Sequence, residues 1–353
     1  MKYFKWPAAA IMFLFLFFAL QRLLVPKYAH SLIEGGMISE YYREVKEHDV
    51  IILGDCEVYD NISPVALWEE FGITSYVRGS AQQLIWHSYY LLEETLRYEK
   101  PGVVVYSVLA MMYDKPQREG YNRLTIDAMK FSDIKMKAAA ASRVEGEDLI
   151  SYALPLLRFN DRWSELSSED FEYIFKRPSV TFNGYMLRSD VLPVDIGDIP
   201  AGERIADYRL GEGVYRYLDM IAGVCRENGI DLLLIKAPIL RPWWHDEWDA
   251  QLEEYAHRNN LRYINFIERI EEIGIDFNED TFNGGLNLNV YGAEKFSSYL
   301  GKILQAEFGV SDRRGEPVTA ARWNEKVSEY ERMKAVQLNE IEEYGAIRTF
   351  LVR

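Results

Sequence analysis

The run Val103-Val104-Val105-Tyr106 constrains this chain more than any other feature. Four consecutive β-branched or aromatic residues leave no polar face, so as a strand they must be covered on both sides, as in the middle of a parallel sheet flanked by helices. The flanking sequence repeats a strand, turn, helix beat. Asp49 to Leu53 is a short apolar run that ends at Gly54, the pattern of a buried strand entering a tight turn. Ser63 then reads as an N-cap with Pro64 at the first helical position. Thr74 to Val77 is a second strand ending before Gly79, and Gln82 to Tyr98 has helical periodicity until Pro101. Between about Met111 and Leu210 the beat is lost, and the segment is polar, aromatic and helical in patches such as Ser168 to Lys176. It resumes with a helix from Glu212 to Asn228 stopped by Gly229 and a strand from Asp231 to Ile235. A helix from Asp246 to Asn259, a strand from Leu261 to Ile264 and a helix from Tyr291 to Phe308 follow, then a charged amphipathic helix from Val318 to Tyr344.

The predicted fold is therefore α/β, a doubly wound parallel sheet in three layers of flavodoxin-like type. Residues 31–110 and 211–310 form the α/β domain, 111–210 a helical cap insertion, and 311–353 a helical tail. Residues 1–30 read as a signal anchor. Pro7 to Leu20 is apolar, carries Phe13, Phe15, Phe17 and Phe18, and is flanked by Lys2 and Lys5 before it and Arg22 and Lys27 after it. Leu23, Leu24 and Val25 extend it toward the roughly 20 residues of a transmembrane helix, and no small-x-small cleavage site follows. The expected location is a single-pass membrane anchor with the globular part extracytoplasmic.

A formal net charge of −15 argues against nucleic acid, whose phosphates are held by clustered Lys and Arg. The two cysteines, Cys56 and Cys225, make neither a disulfide framework nor a zinc pattern, and one bridge between them stays open. Neither H-x-x-H nor C-x-x-C spacing occurs, nor a G-x-x-x-x-G-K-[ST] phosphate loop, so no metal and no cofactor is expected.

Gly54-Asp55-Cys56 puts a nucleophile on a turn at the end of the first strand, where backbone N–H groups stabilise an oxyanion. A thiol has an ordinary pKa of about 8.5, which a helix N-terminus lowers. With Gly79 after the second strand and Leu288-Asn289-Val290-Tyr291-Gly292-Ala293-Glu294 before the last core helix, this context resembles the SGNH (GDSL) hydrolases. The resemblance implies Cys56 in place of the nucleophilic Ser, oxyanion or substrate contacts from Asp55, Gly79 and the backbone of Cys56, and Ser107 where the family carries an Asn. It also implies Asn287 where the family carries its His, with Asp280 as the remaining acid of that block. The membrane-anchored branch that it looks most like is similar to the alginate O-acetylation proteins and the D-alanyl transfer protein of teichoic acid synthesis, which work beside membrane-bound O-acyltransferases.

Asn287 removes the general base, because an amide does not titrate. His245, just beyond the strand Asp231 to Ile235, offers itself as a replacement base, the plainer reading being a surface histidine among aromatics. Trp86, Tyr89, Tyr90, Trp163, Trp243, Trp244 and Trp248 form either a sugar-stacking surface or core. Two functions stand open. One is an esterase or O-acyltransferase on cell-envelope polysaccharide working through acyl-Cys56. The other is a catalytically inactive SGNH-fold scaffold or glycan-binding partner of a membrane-bound O-acyltransferase.

Overall fold

The computed structural model describes residues 5–25, 34–175, 179–200 and 202–350. Five parallel strands form one sheet: β1 (Val50–Gly54), β2 (Ser75–Gly79), β3 (Val103–Ser107), β4 (Asp231–Lys236) and β5 (Arg262–Asn265), in the order β2-β1-β3-β4-β5. This is the flavodoxin-like order, with its topological switch between β1 and β3. The helices are α1 (Lys5–Leu24), α2 (Glu34–Glu40), α3 (Cys56–Tyr59), α4 (Pro64–Phe71), α5 (Ile85–Thr95), α6 (Glu119–Ile126), α7 (Asp133–Ser142), α8 (Ile150–Ala153), α9 (Leu156–Phe159), α10 (Ser168–Phe175), α11 (Glu212–Asn228), α12 (Asp246–Asn259), α13 (Ile270–Ile273), α14 (Val290–Phe308) and α15 (Pro317–Tyr344).

Alternation along the strands divides the core in two. Ile51, Leu53, Val104, Tyr106, Leu232 and Leu234 face α5, α11 and α12, whereas Val50, Ile52, Val103, Val105, Leu233 and Ile235 face α4 and α14. Both faces of the sheet are thus buried, as the apolar runs 50–53, 103–106 and 232–235 demand. The helix expected from Gln82 to Tyr98 is shorter, because Gln82 takes a left-handed turn conformation (φ 50°) and the helix begins only at Ile85.

Three segments surround this frame. Helix α1 contains a 19-residue stretch, Trp6–Leu24, long and apolar enough to cross a membrane. In α15, the face bearing Trp323, Tyr330 and Met333 is buried, with Trp323 stacked on Trp68 of α4 at 5.4 Å, so the charged tail docks on its own domain. The region 111–200 divides in two. Helices α6 and α7 cover α2 and α5, while residues 179–195 form a strap. The strap meets the exposed edge of β2, where Val77 N–H donates to Asn183 O at 2.8 Å. Gly184 sits at φ +87°, and a Cβ there would lie 1.8 Å from Val77 O, so only glycine permits the approach. The strap then runs on through Met186 N–H to Tyr59 O (2.7 Å), Val290 N–H to Arg188 O (2.7 Å), Leu192 N–H to Thr281 O (2.9 Å) and Val194 N–H to Phe277 O (3.1 Å).

Candidate functional site

The carboxyl ends of β1 and β3, at the switch point, are where an open parallel sheet offers a crevice for ligands. Gly54 ends β1, and a Cβ on it would come within 2.9 Å of Ser107 Cβ, so glycine brings the two strand ends together. Gly79, in register with Gly54, leaves room for Gly54 O, Val58 and Asp55 O. Asp55 caps α3, accepting Glu57 N–H at 3.1 Å, and Cys56 is the first helical residue, half-buried against the α4/α14 core.

Beneath the turn lies a polar layer that the sequence did not announce. Glu57 and Lys236 are both fully buried and form an ion pair through Glu57 Oε1 and Lys236 Nζ. Ser107 Oγ donates to Glu57 Oε2 at 2.5 Å, and Lys236 Nζ also donates to Ala237 O at 3.2 Å. Trp244 has its ring 5.9 Å from Lys236 Nζ and donates Nε1–H to Asp249 Oδ1, which also accepts the Tyr263 hydroxyl. Ser107, expected to line an oxyanion site, is therefore committed to Glu57. The overlooked signal was Lys236 itself, a charge ending the apolar run Leu232 to Ile235: a buried lysine needs a counter-charge, and Glu57 next to Cys56 provides it.

Burial and nearby carboxylates together set the state of the Cys56 thiol. Burial, then the charges of Asp55, Asp60 and Glu57, push its thiol well above the ordinary cysteine value. The lowering expected from a helix N-terminus does not prevail, since α3 is a single turn and burial and the acids' charges both oppose it. Burial, with Glu57 next in effect, also pushes the Asp55 carboxyl up to about 7. Tyr113 stands beside the same group, its phenol raised by burial and by Asp55 and Cys56.

The other predicted residues make the following contacts. Asn287 is buried; its N–H donates to Asn283 Oδ1 and its carbonyl accepts Thr281 Oγ1, both at 2.7 Å, while Oδ1 has no hydrogen-bond partner among the described residues. The adjacent Leu288 N–H donates to Asn61 Oδ1 (2.7 Å), and Asn61 Nδ2 donates to Glu57 O (3.1 Å), which ties this loop to the Cys56 turn. Asp280 faces the other way, accepting Asp276 N–H at 2.8 Å and pairing with Lys295 at 2.6 Å. His245 begins α12 with its ring edge-on to Trp248 (4.7 Å) and Tyr208 (5.0 Å). His48 binds Glu99 at 3.0 Å, His87 is buried against Ser142 at 2.8 Å, and His257 lies in the last turn of α12; His30 lies outside the described residues. Asn122, the next asparagine after Ser107, is spent on Ser142 O at 2.7 Å.

The aromatics disperse. Trp86, Tyr89, Trp244 and Trp248 are core residues, while Trp163 and Trp243 are exposed. Both cysteines are free thiols, and no cluster of metal-ligating side chains occurs among the described residues. A cavity of about 460 Å³ opens elsewhere, between the 179–183 turn and α15, and its cations Arg322, Lys326 and Arg332 are paired with Glu47, Glu44 and Glu329. No family model matches the chain, and no curated protein matches it as a relative.

Proposed function

We propose that this chain is a membrane-anchored, extracytoplasmic, SGNH-like protein that serves as a non-catalytic partner of a membrane-bound O-acyltransferase acting on cell-envelope polysaccharide. The resemblance around Gly54-Asp55-Cys56 and Leu288-Asn289 motivates the class, and the apolar Trp6–Leu24 stretch the anchor. One observation carries the choice of scaffold over enzyme: burial first, and then the charges of Asp55, Asp60 and Glu57, push the Cys56 thiol well above the ordinary cysteine value and so favour its protonated form. The thiolate is the nucleophile, and a triad-type site needs a base in reach to produce it. Here the imidazoles of His48 and His87 are bonded to Glu99 and Ser142, that of His245 packs edge-on to Trp248 and Tyr208, and the position resembling the catalytic His is Asn287.

The test treats the full chain in detergent with an activated acetyl ester at pH 7.5 and follows intact mass against Cys56→Ala. No acyl adduct at Cys56 is expected. In membranes holding the acyltransferase, polysaccharide acylation is expected to depend on the chain and to survive Cys56→Ala. A stoichiometric acyl-Cys56 species that turns over on polysaccharide would restore the enzyme reading.

A further inference from the structure

The α1 helix is long enough to span, but the part of it left free of the domain is not. Side chains from Trp6 to Phe18 are largely exposed, but from Ala19 onward they become half-buried and Leu23 and Leu24 are buried. The free stretch from Trp6 to Phe18 is thirteen residues, about 20 Å of helix at 1.5 Å per residue. A hydrocarbon core is about 30 Å thick. The missing ~10 Å corresponds to the last turns of α1, and those turns pack against α9 and α10.

What surrounds them exposes large apolar side chains among polar ones such as Arg158, Asp161, Glu165 and Glu172. Leu157 is 52% exposed, Trp163 55%, Phe171 51% and Phe175 91%. Phe171 and Phe175 are four residues apart on α10 and share one face. Arg162 fixes this group to the anchor: it donates Nη1–H to Leu24 O at 3.1 Å and Nη2–H to Asp170 of α10 at 3.0 and 3.1 Å. A clamp of this kind holds the exposed aromatics at the level where α1 leaves the free stretch. Trp6, 79% exposed, marks the opposite end. Aromatic residues at both ends of a span are the mark of the two lipid–water interfaces.

From this we infer that α9, α10 and the Trp163 turn between them form a collar seated in the interface of the lipid bilayer, a second membrane contact that completes the span begun by α1. The occupant is lipid because the patch continues the apolar surface of α1 and lies at the depth where that helix runs out. The collar is the kind of surface, Trp, Phe and Leu together, that sinks about 5–10 Å into the headgroup and acyl boundary. It rests on the anchor reading given above.

Nitroxide labels report depth directly. The full chain, in a Cys56→Ala/Cys225→Ala background, is reconstituted in vesicles of phosphatidylcholine and phosphatidylglycerol with labels at Phe13→Cys, Phe171→Cys, Phe175→Cys and Val318→Cys. Val318 is 79% exposed on α15, which packs on α4 on the other side of the sheet from α5. Oxygen and nickel-chelate accessibilities are expected to place Phe13 deep in the hydrocarbon, Phe171 and Phe175 at the headgroup boundary, and Val318 in water. Labels at 171 and 175 as wet as the one at 318, with Phe13 still deep, would overturn the collar and leave the anchor standing. A wet Phe13 would overturn both. With the native cysteines in place, brominated-lipid quenching taken as the difference between wild type and Trp163→Phe gives an independent depth. Quenching of Trp163 by bromines near the headgroup is expected, and its absence overturns the collar.

Discussion

Replacing Lys236 by Met tests whether the buried pair under the Cys56 turn is held by mutual compensation. In the native protein Glu57 has two side-chain partners, the Lys236 ammonium at Oε1 and the Ser107 hydroxyl at Oε2, in a fully buried setting with Asp55 as a further acid alongside. Lys236→Met removes the counter-charge and leaves one hydroxyl, and breaking a buried pair in this way costs about 3–5 kcal/mol. Proton uptake caps the penalty. At pH 7.5, protonating a carboxyl whose unfolded-state pKa is about 4.3 costs about 4 kcal/mol, and at pH 5.5 about 1.6 kcal/mol. In the variant the carboxyl is neutral when folded and ionised when unfolded, so the penalty is absent below pH ~4 and grows by about 1.4 kcal/mol per pH unit above it. In Glu57→Gln/Lys236→Met the amide oxygen still accepts from Ser107 and no charge is stranded, so the double variant is expected within about 1–2 kcal/mol of wild type. Urea unfolding of the full chain in detergent, followed by tryptophan fluorescence at pH 5.5, 6.5 and 7.5, measures all of this. A Lys236→Met penalty that is flat with pH, or a double variant as unstable as Lys236→Met alone, would refute the compensation argument.

Glu40 is buried with its carboxylate accepting Val180 N–H at 2.7 Å and Thr181 N–H at 3.3 Å, and burial pushes it up to about 7. A folded pKa above the unfolded one gives stability that is full below pH ~4.5 and is lost as pH rises through 7, so moving from pH 5.5 to 8 should remove about 2 kcal/mol, a loss that Glu40→Gln abolishes in the same unfolding assay. Gly184→Ala should push the 181–185 turn off β2, because its Cβ would meet Val77 O at 1.8 Å with φ at +87°; the expected cost is above about 2 kcal/mol, and hydrogen exchange should show Val77 N–H losing its protection. Asn287→His alone should leave ester hydrolysis at the buffer rate, since Asp280 stays paired with Lys295 and the Cys56 thiol stays protonated; a rise of tenfold or more in p-nitrophenyl acetate turnover would count against that account.

The frame was legible wherever one kind of force acted alone. Strands with no polar residue, such as Val103 to Tyr106, had to be interior. Helices bounded by strong punctuation came out at their expected limits: Glu212 to Asn228 ends where Gly229 adopts the left-handed cap, and Asp246 to Asn259 ends at Asn260 in the same conformation. Legibility failed where two distant segments decide together. Nothing local to Glu57 says that it is buried, because its counter-charge lies at the end of β4, and nothing local to Asn183 says that it covers the edge of β2. For α15 the charge pattern did not show that Lys326 and Lys334 pair with Glu44 and Glu294 of the domain, but Trp323, Tyr330 and Met333, spaced to lie along one face, already held the docking surface. The Cys56 turn mixed both cases. Its backbone followed from Gly54 and Asp55, while its reactivity depended on acids at 55, 57 and 60 whose burial the sequence does not display.

The insertion links two ends of the molecule. Its helices α8, α9 and α10 end at Phe175 beside the anchor, and by Ser179 the chain has begun the strap that crosses the β2 edge and reaches the loop around Thr281 and Asn287. This stretch of chain therefore reaches from α1 at one end to the loop that carries Thr281 and Asn287 at the other. A free-standing lid would be joined by polar, weakly bonded segments at the low end of local stability. Here Asn183, Met186, Arg188, Leu192 and Val194 each contribute a backbone hydrogen bond to the frame, and Gln337 of α15 donates to Leu187 O at 3.1 Å and accepts Ser189 N–H at 3.0 Å. A strap bonded to the frame at these five residues is a fixed part of the domain, as is the Glu57–Lys236 pair beneath the Cys56 turn.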